Sequence, residues 1–509
     1  MSTATYPAAR SVKPVASTGA RHTTAILAIV LISYFMILLD NSIIFTALPK
    51  IHAAMRFSPV GLAWVQDAYT LVFGGLLLLG ARAGDLLGRR RVFVFGLAVF
   101  ALASLLVGLA PAGWWLIGAR GVQGIGAAIV APSSLSLLTA SFAEGRERAK
   151  AVAWYGATAG IGASLGLVIG GALADWVSWR AGFFINVPIG AAMIMLAPRY
   201  LPGSARARGR FDLIGAVSAT LGVGAMVYGI IHSAQAGWGA PATVVPLVTG
   251  AGMIGGLAVA EGRVAQPIMP LRLFASRERI GAYLARLLYL GAMIGFFFYS
   301  TQYLQGVLGF SAFQAGVAFF PMTVVNFAVA MAIPALTARL GRAMPLAAGV
   351  VLTLAGMAWL AQVTVMSSYW TAVAVPMTLI GAGQGLAFAP LTSAGIAGVS
   401  AADAGAASGL VNTFHQLGMA LGLGVLVAVS AGSGRGLTTA VGVLTAHVHT
   451  ALTAGSVLLA GSLLAVLALI LPADPRARRA SQAKPYARPR AAAEPADAAM
   501  TSDQREYAH

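Results

Sequence analysis

The chain has no cysteine, so disulfides, thiolate metal sites and thiol catalysis are excluded. It is also poor in charge. Only 9% of residues are Asp, Glu, Lys or Arg, against roughly 25% in soluble domains. Acidic residues are the scarcer class, 15 in 509. There is no G-x-x-x-x-G-K-[ST] loop, no H-E-x-x-H pair and no nucleophile elbow. Without the first, nothing would cradle nucleotide phosphates, which argues against ATP-driven pumping. The chain carries no enzyme signature, and neither a metal nor a cofactor is expected. What it has in quantity is apolar sequence: 58% hydrophobic residues and a mean hydropathy of +0.82. An all-α polytopic membrane protein is the class that fits.

The net charge of +18 would suggest nucleic acid, but its distribution argues otherwise. One alternating set of loops and both tails hold 27 Lys and Arg, while the opposite loops hold only Lys50, Arg56, Arg180 and Arg435. This asymmetry places both termini in the cytoplasm. Excess Arg over Lys, with abundant Ala and Gly, suggests a high-GC bacterial source and hence the plasma membrane. The first apolar run is too long for a cleaved signal peptide and reads as a retained helix.

Apolar runs of spanning length fall at 24–48, 60–80, 92–110, 113–140, 151–173, 181–201, 211–232, 243–261, 279–305, 313–336, 346–364, 369–390, 403–430 and 451–471. The linkers divide these fourteen spans as six, two and six. The expected organisation is a tail 1–23, a first bundle 24–201, two linking helices within 202–278, a second bundle 279–471 and a disordered tail 472–509. Segment 262–278 is expected along the cytoplasmic interface, and 431–450 as the longest outer loop. Trp64, Trp114, Trp115, Trp176, Trp179, Trp238 and Trp370 fall near outer ends, as an interfacial belt would. A faint repeat, Gln123-Gly124 before Pro132 and Gln384-Gly385 before Pro390, fits a molecule of two related halves.

Three charges lie deep in spans. Arg120 is six residues from Trp114, Asp40 nine from Pro49 and Asp67 eight from Pro59. At 1.5 Å per residue these depths are roughly 9, 13 and 12 Å, so one shared layer in the outer half is expected. A charge there costs on the order of 3 kcal/mol by insertion scales and marks a solute or ion path. Two readings stay open for Arg120: proton coupling, or plain neutralisation of a buried carboxylate.

The loop GARAGDLLGRRR, residues 80–91, sets Asp85 among arginines, with Gly88 for a tight turn. Asp85, Gly88, Arg89 and Arg90 are read as a conformational latch between helices. In helix 5, Gly162, Gly166, Gly170 and Gly171 supply a close-packing face able to act as a sliding seam. Arg286, seven residues from its helix's cytoplasmic end, is expected to snorkel. Tyr289 and Phe297, with Gln123 and His415, are candidate lining for an apolar substrate. For His415 a hydrogen-bonded packing role competes with that reading.

Together these segments resemble the fourteen-helix drug/proton antiporters of the major facilitator superfamily. LLDNSIIFTALPKI is similar to the family's helix-1 motif through Asp40, and WVQDAYTL to its helix-2 signature through Asp67. GDLLGRRR matches the cytoplasmic-loop motif through Asp85, Gly88, Arg89 and Arg90. RGVQGIGAA matches the helix-4 motif through Arg120, Gln123 and Gly124, and WRAGFFINVPIG, residues 179–190, is a hallmark. There are departures: Ala81 and Leu86 replace the usual glycine and arginine, Leu167 replaces the proline after Gly166, and His415 stands where arginine or glutamine is common.

The resemblance implies the major facilitator fold, two six-helix bundles with two central helices inserted. It also implies export of a hydrophobic or amphiphilic drug or antibiotic against inward proton flow, by a monomer in a lipid bilayer. Asp40, Asp67 and Arg120 would couple the proton. A dedicated exporter of one endogenous compound is the main alternative. A proton-coupled importer would need polar substrate contacts, and the inner spans of mostly Ala, Gly, Leu, Val and Phe favour apolar cargo.

Overall fold

A computed structural model describes residues 20–143, 145–203, 213–263, 270–400 and 403–473. Most of the predicted tails 1–23 and 472–509, and of the 202–210 linker, lies outside the described residues. Among the described residues thirteen helices are long and apolar enough to cross a membrane. Helix Leu213–Ala236 takes the place of the seventh predicted span.

The first six spans are α1 (Ala20–Met55), α2 (Pro59–Leu87), α3 (Arg89–Gly108), α4 (Gly113–Ser141), α5 (Arg146–Trp176) and α6 (Ala181–Tyr200, turning at Ile185). Two linking helices follow, α7 (Leu213–Ala236) and α8 (Pro241–Glu261). The last six are α9 (Arg277–Gly306), α10 (Ala312–Leu340), α11 (Ala343–Leu360), α12 (Trp370–Gly395), α13 (Ala404–Ser430) and α14 (Ala440–Ala473).

Helix starts follow from local chemistry. Ser58 accepts from the Gly61 N–H ahead of α2, with Pro59 in the first turn. Ser276 caps α9 in the same way, and Ser311 with Gln314 closes a capping box at the start of α10. Thr439 caps α14 at Gly442, which corrects the expected outer loop 431–450: its apolar second half is helix from Ala440. In the interfacial segment, the described part holds one short 3-10 turn, Leu271–Ala275. Trp179 departs from the interfacial belt. It is buried, edge-on to Phe183 and under the Arg180 guanidinium.

Helices α1 to α6 pack on one another, chiefly α2 and α3 on α4, and α5 on α1. In the second set, α9 packs on α13 and α14, and α12 on α10 and α11. In lipid the drive for helix association is close van der Waals fit rather than apolar burial, so small residues sit at the crossings. Gly291 of α9 and Gly422 of α13 meet backbone to backbone, where a Cβ on Gly422 would collide. The linking pair α7 and α8 pack together, and α7 also lies against α2 and α13. The bundles meet along two lines, α2 with α13 and α5 with the first turns of α10.

Candidate functional site

Asp40 is the centre of a buried polar network built from five helices. Its Oδ2 accepts from Arg120 Nη1 at 2.7 Å, and both side chains are fully buried. Its Oδ1 accepts from Gln123 Nε2 and from Asn186 Nδ2, each at 2.8 Å. Gln123 Nε2 also reaches Ser104 Oγ on α3 at 2.8 Å, and Arg120 Nη1 donates to Gln123 Oε1 at 2.8 Å. Arg120 Nε donates to the Val65 carbonyl of α2 at 3.1 Å, and its guanidinium lies 4.3 Å from the Tyr69 ring centre. Both carboxylate oxygens are thus answered by donors, one of them a cation.

Asp67 is at similar depth but does not join this network. It is fully buried, and neither carboxylate oxygen has a hydrogen-bond partner. Helical spacing explains the separation. Gln66, Tyr69 and Phe73 share the α2 face turned to α1 and α4, where Gln66 donates to Asn41 Oδ1 at 2.9 Å. Asp67 shares the other face with Leu71, Gly74 and Leu78, which meet Gly224 of α7 and Gln416 and Gly409 of α13. Asp67 therefore lies on the seam between the bundles, while Asp40 is interior to the first bundle. The expected single layer is two sites.

The glycines of α5 divide the same way. Gly162, Gly166 and Gly170 pack on Leu38, Ser42 and Ile43 of α1, inside the first bundle. Gly171 instead faces the second bundle, where a Cβ would strike the Ala312 carbonyl, and Gly316 returns the contact to the Leu167 carbonyl. With leucine at 167, α5 runs unbroken from Arg146 to Trp176.

Beside this crossing lies a clasp that the sequence reading missed. Asp175 accepts from the backbone N–H groups of Ala312 at 3.2 Å and Phe313 at 2.7 Å, the exposed donors of the helix start. Lys50 Nζ donates to Asp175 Oδ1 at 2.8 Å and to the Ala174 carbonyl at 2.6 Å. Gln305 Nε2 donates to the Thr46 carbonyl at 3.1 Å, and the Trp176 and Phe313 rings lie 5.0 Å apart. All of these sit at the end opposite the basic loops. A carboxylate closing a glycine-rich helix was the available signal.

The loop cluster ties helices of the first bundle. Gly88, with φ 100°, links α2 to α3, and Arg89 pairs with Asp85 at 3.2 Å and with the Ser136 carbonyl at 3.3 Å. Arg90 Nη1 donates to the carbonyls of Pro198 and Leu201 at 3.2 and 3.1 Å. These bonds tie α2, α3, α4 and α6 at the basic end. There the second bundle has its own ties: Arg272 chelates Asp403 at 2.6 and 3.0 Å, holding that carboxyl below the usual carboxylate range, and Arg342 pairs with Glu278 at 2.9 Å.

The candidate lining residues scatter. Gln123 belongs to the Asp40 network. Tyr289 is buried, with its hydroxyl 2.9 Å from Thr353 Oγ1 of α11, inside the second bundle. Phe297 stacks on Phe45 of α1 with centroids 5.6 Å apart, so it does lie between bundles. His415 meets Arg286, and here an expectation fails. Arg286 does not snorkel; it is 3% exposed. Its Nη1 donates to Thr392 Oγ1 at 2.8 Å, its Nη2 lies 3.3 Å from His415 Nδ1, and its guanidinium is 4.7 Å from the Phe388 ring centre. Partners from α12 and α13 turn it inward. Asn186 and Ser104 were not singled out from sequence, although Asn186 stands in the 179–190 hallmark.

Comparison with known proteins agrees with this architecture. Residues 30–423 match the profile of the Major Facilitator Superfamily. The chain is 39% identical over 472 residues to the cephamycin export protein of Amycolatopsis lactamdurans, covering 91% of this chain and 96% of that one. It is 38% identical over 415 residues to the puromycin resistance protein of Streptomyces alboniger, covering 80% and 82%. Among solved structures it is similar to a bacterial homologue of the human lysosomal transporter Spinster, with TM-score 0.63 at 15% identity, covering 89% of this chain and 97% of that one. That likeness speaks for the fold.

Proposed function

We propose that this chain, which belongs to the major facilitator superfamily, exports a hydrophobic or amphiphilic small molecule of the antibiotic or drug class in exchange for protons. It is a multi-pass membrane transporter and not an enzyme. A cephamycin export protein that resembles it over 91% of its length supports the direction, and with a puromycin resistance protein that resembles it over 80% supports the cargo class. In this reading the basic loops face the cytoplasm across the plasma membrane. The protein works as a monomer, and residues 24–201 and 279–471 are the two bodies that rock, linked by 202–278.

Asp67 is the observation that carries the proton step. An ionised carboxylate buried without a partner costs several kcal/mol, so the acid keeps its proton while the α2–α13 seam is shut. Opening that seam to water removes the penalty and lets the proton leave. Asp40 is satisfied by Arg120, Gln123 and Asn186, so it holds the first bundle's shape and field rather than being the group that titrates in this arrangement. The clasp of Asp175 and Lys50 closes the outer end, and substrate loads from the basic end. Alternating access then requires the clasp to break as the basic end closes.

The test uses everted vesicles with an inside-acid gradient and a pH-sensitive dye. Substrate that exchanges for protons collapses the gradient, and Asp67→Asn vesicles lose the response. Collapse by unrelated compounds marks a broad exporter. Collapse by one chemical class marks a dedicated one, the second reading, which the single-antibiotic names of both relatives favour. No collapse by any lipophilic cation, anion or neutral antibiotic contradicts proton exchange.

A further inference from the structure

Arg286 is a buried cation without an acid. Among the described residues its contacts are a hydroxyl, an imidazole nitrogen and an aromatic ring, and its Nε, also buried, has no partner. A guanidinium always stays charged. A charge taken out of water with no counter-charge is an expense that a structure bears only for a purpose.

The surrounding groups offer no negative charge and leave donors unspent. Arginine can only donate, so His415 Nδ1 accepts from it, and the neutral imidazole then carries its proton on Nε2. Thr392 spends its own hydrogen on the Phe388 carbonyl at 2.9 Å and accepts from Arg286, which orients the guanidinium. Arg286 Nε–H and His415 Nε2–H remain as donors. Phe388 is 37% exposed and offers an apolar face beside them. The next residue of α13, Gln416, packs against Gly74 of α2 in the first bundle. The group thus lies between the bundles, Arg286 nine residues into α9 from the basic end and Thr392 three residues from the end of α12.

We infer that Arg286, with His415 and Phe388, is the binding site for the carboxylate of an amphiphilic anionic substrate: the carboxylate on Arg286 and His415, the apolar body on Phe388. The inference rests on the export reading only for the word substrate; the site itself is a matter of binding.

The experiment measures binding to the purified full chain in nanodiscs, without any gradient. The probes are benzylpenicillin, 2-naphthoate and dodecanoate, each paired with its neutral methyl ester. Expected is binding of at least one carboxylate over its ester, weakened about tenfold or more in Arg286→Gln, the loss of one charge-assisted hydrogen bond. Ester binding is unchanged, and Arg286→Lys recovers part of the preference. Thermal unfolding controls for folding: Arg286→Gln melts at or above the wild-type temperature, because it removes an unpaired buried charge. Absence of any carboxylate preference in the wild type, or a preference that survives Arg286→Gln, overturns the site. Neither outcome touches proton exchange, which the vesicle assay reads separately.

Discussion

Among the described residues two arginines are buried, one in each bundle, and only one has a carboxylate. Arg120 sits 2.7 Å from Asp40 in a network whose donors come from α4 and α6. Arg286 has a hydroxyl, an imidazole and a ring. The difference separates two uses of the same residue. A paired buried arginine holds helices in place, and its loss strands a charge. An unpaired one lowers stability and holds a place for something that arrives with the opposite sign. Asp40 and Asp67 repeat the contrast with carboxylates: one saturated, one bare, on different helices but at like depth.

The largest effect expected from breaking this comparison is on Arg120. Arg120→Leu takes the only counter-charge from the buried Asp40, and should cost about 3–5 kcal/mol in thermal or denaturant unfolding of the purified protein. Arg286→Leu in the same assay should cost nothing measurable or stabilise. Equal losses would erase the distinction between the two arginines. Next comes the seam. Gly171→Leu drives a side chain into the Ala312 backbone and should disfavour the outer-closed state by about 1–3 kcal/mol. Because the chain lacks cysteine, paired cysteines across the outer ends of α5 and α10 give that distance directly by spin labelling. Asp175→Asn weakens the charge-assisted bonds to Phe313 and Lys50, and should raise the ratio of outer-open to outer-closed populations in the same distance distribution about tenfold. The smallest effect belongs to Asp403→Asn at the exposed Arg272 pair, which should leave the melting temperature within error at neutral pH. Asp403 has a depressed folded value, so whatever the pair contributes is present above the ordinary carboxylate range and fades as pH falls through the lower folded value.

The spans were legible because a bilayer demands about twenty apolar residues each, and this rule needs no tertiary information. Asp40 and Arg120 were legible for the same reason, since a charge at that depth must be answered. Rotation about the helix axis was harder. Depth along α2 put Asp67 level with Asp40, while its bearing put it on the seam with α13. Arg286 was misread because a long basic side chain near a helix end usually reaches for water. What overrode this lies over a hundred positions away in sequence, in Thr392 and His415. The clasp was hidden differently: Asp175 answers backbone N–H groups, which any sequence has, and a lysine 125 positions away.

Proteoliposomes containing wild-type or Asp67→Asn protein give the most direct test of the central claim, that Asp67 carries the proton. Transport of a substrate found in the vesicle panel would be measured twice, as uphill accumulation driven by a pH gradient and as substrate exchange at equal concentrations with no gradient. The account predicts that Asp67→Asn abolishes gradient-driven accumulation and keeps exchange. Gradient-driven accumulation at the wild-type level in Asp67→Asn would contradict it.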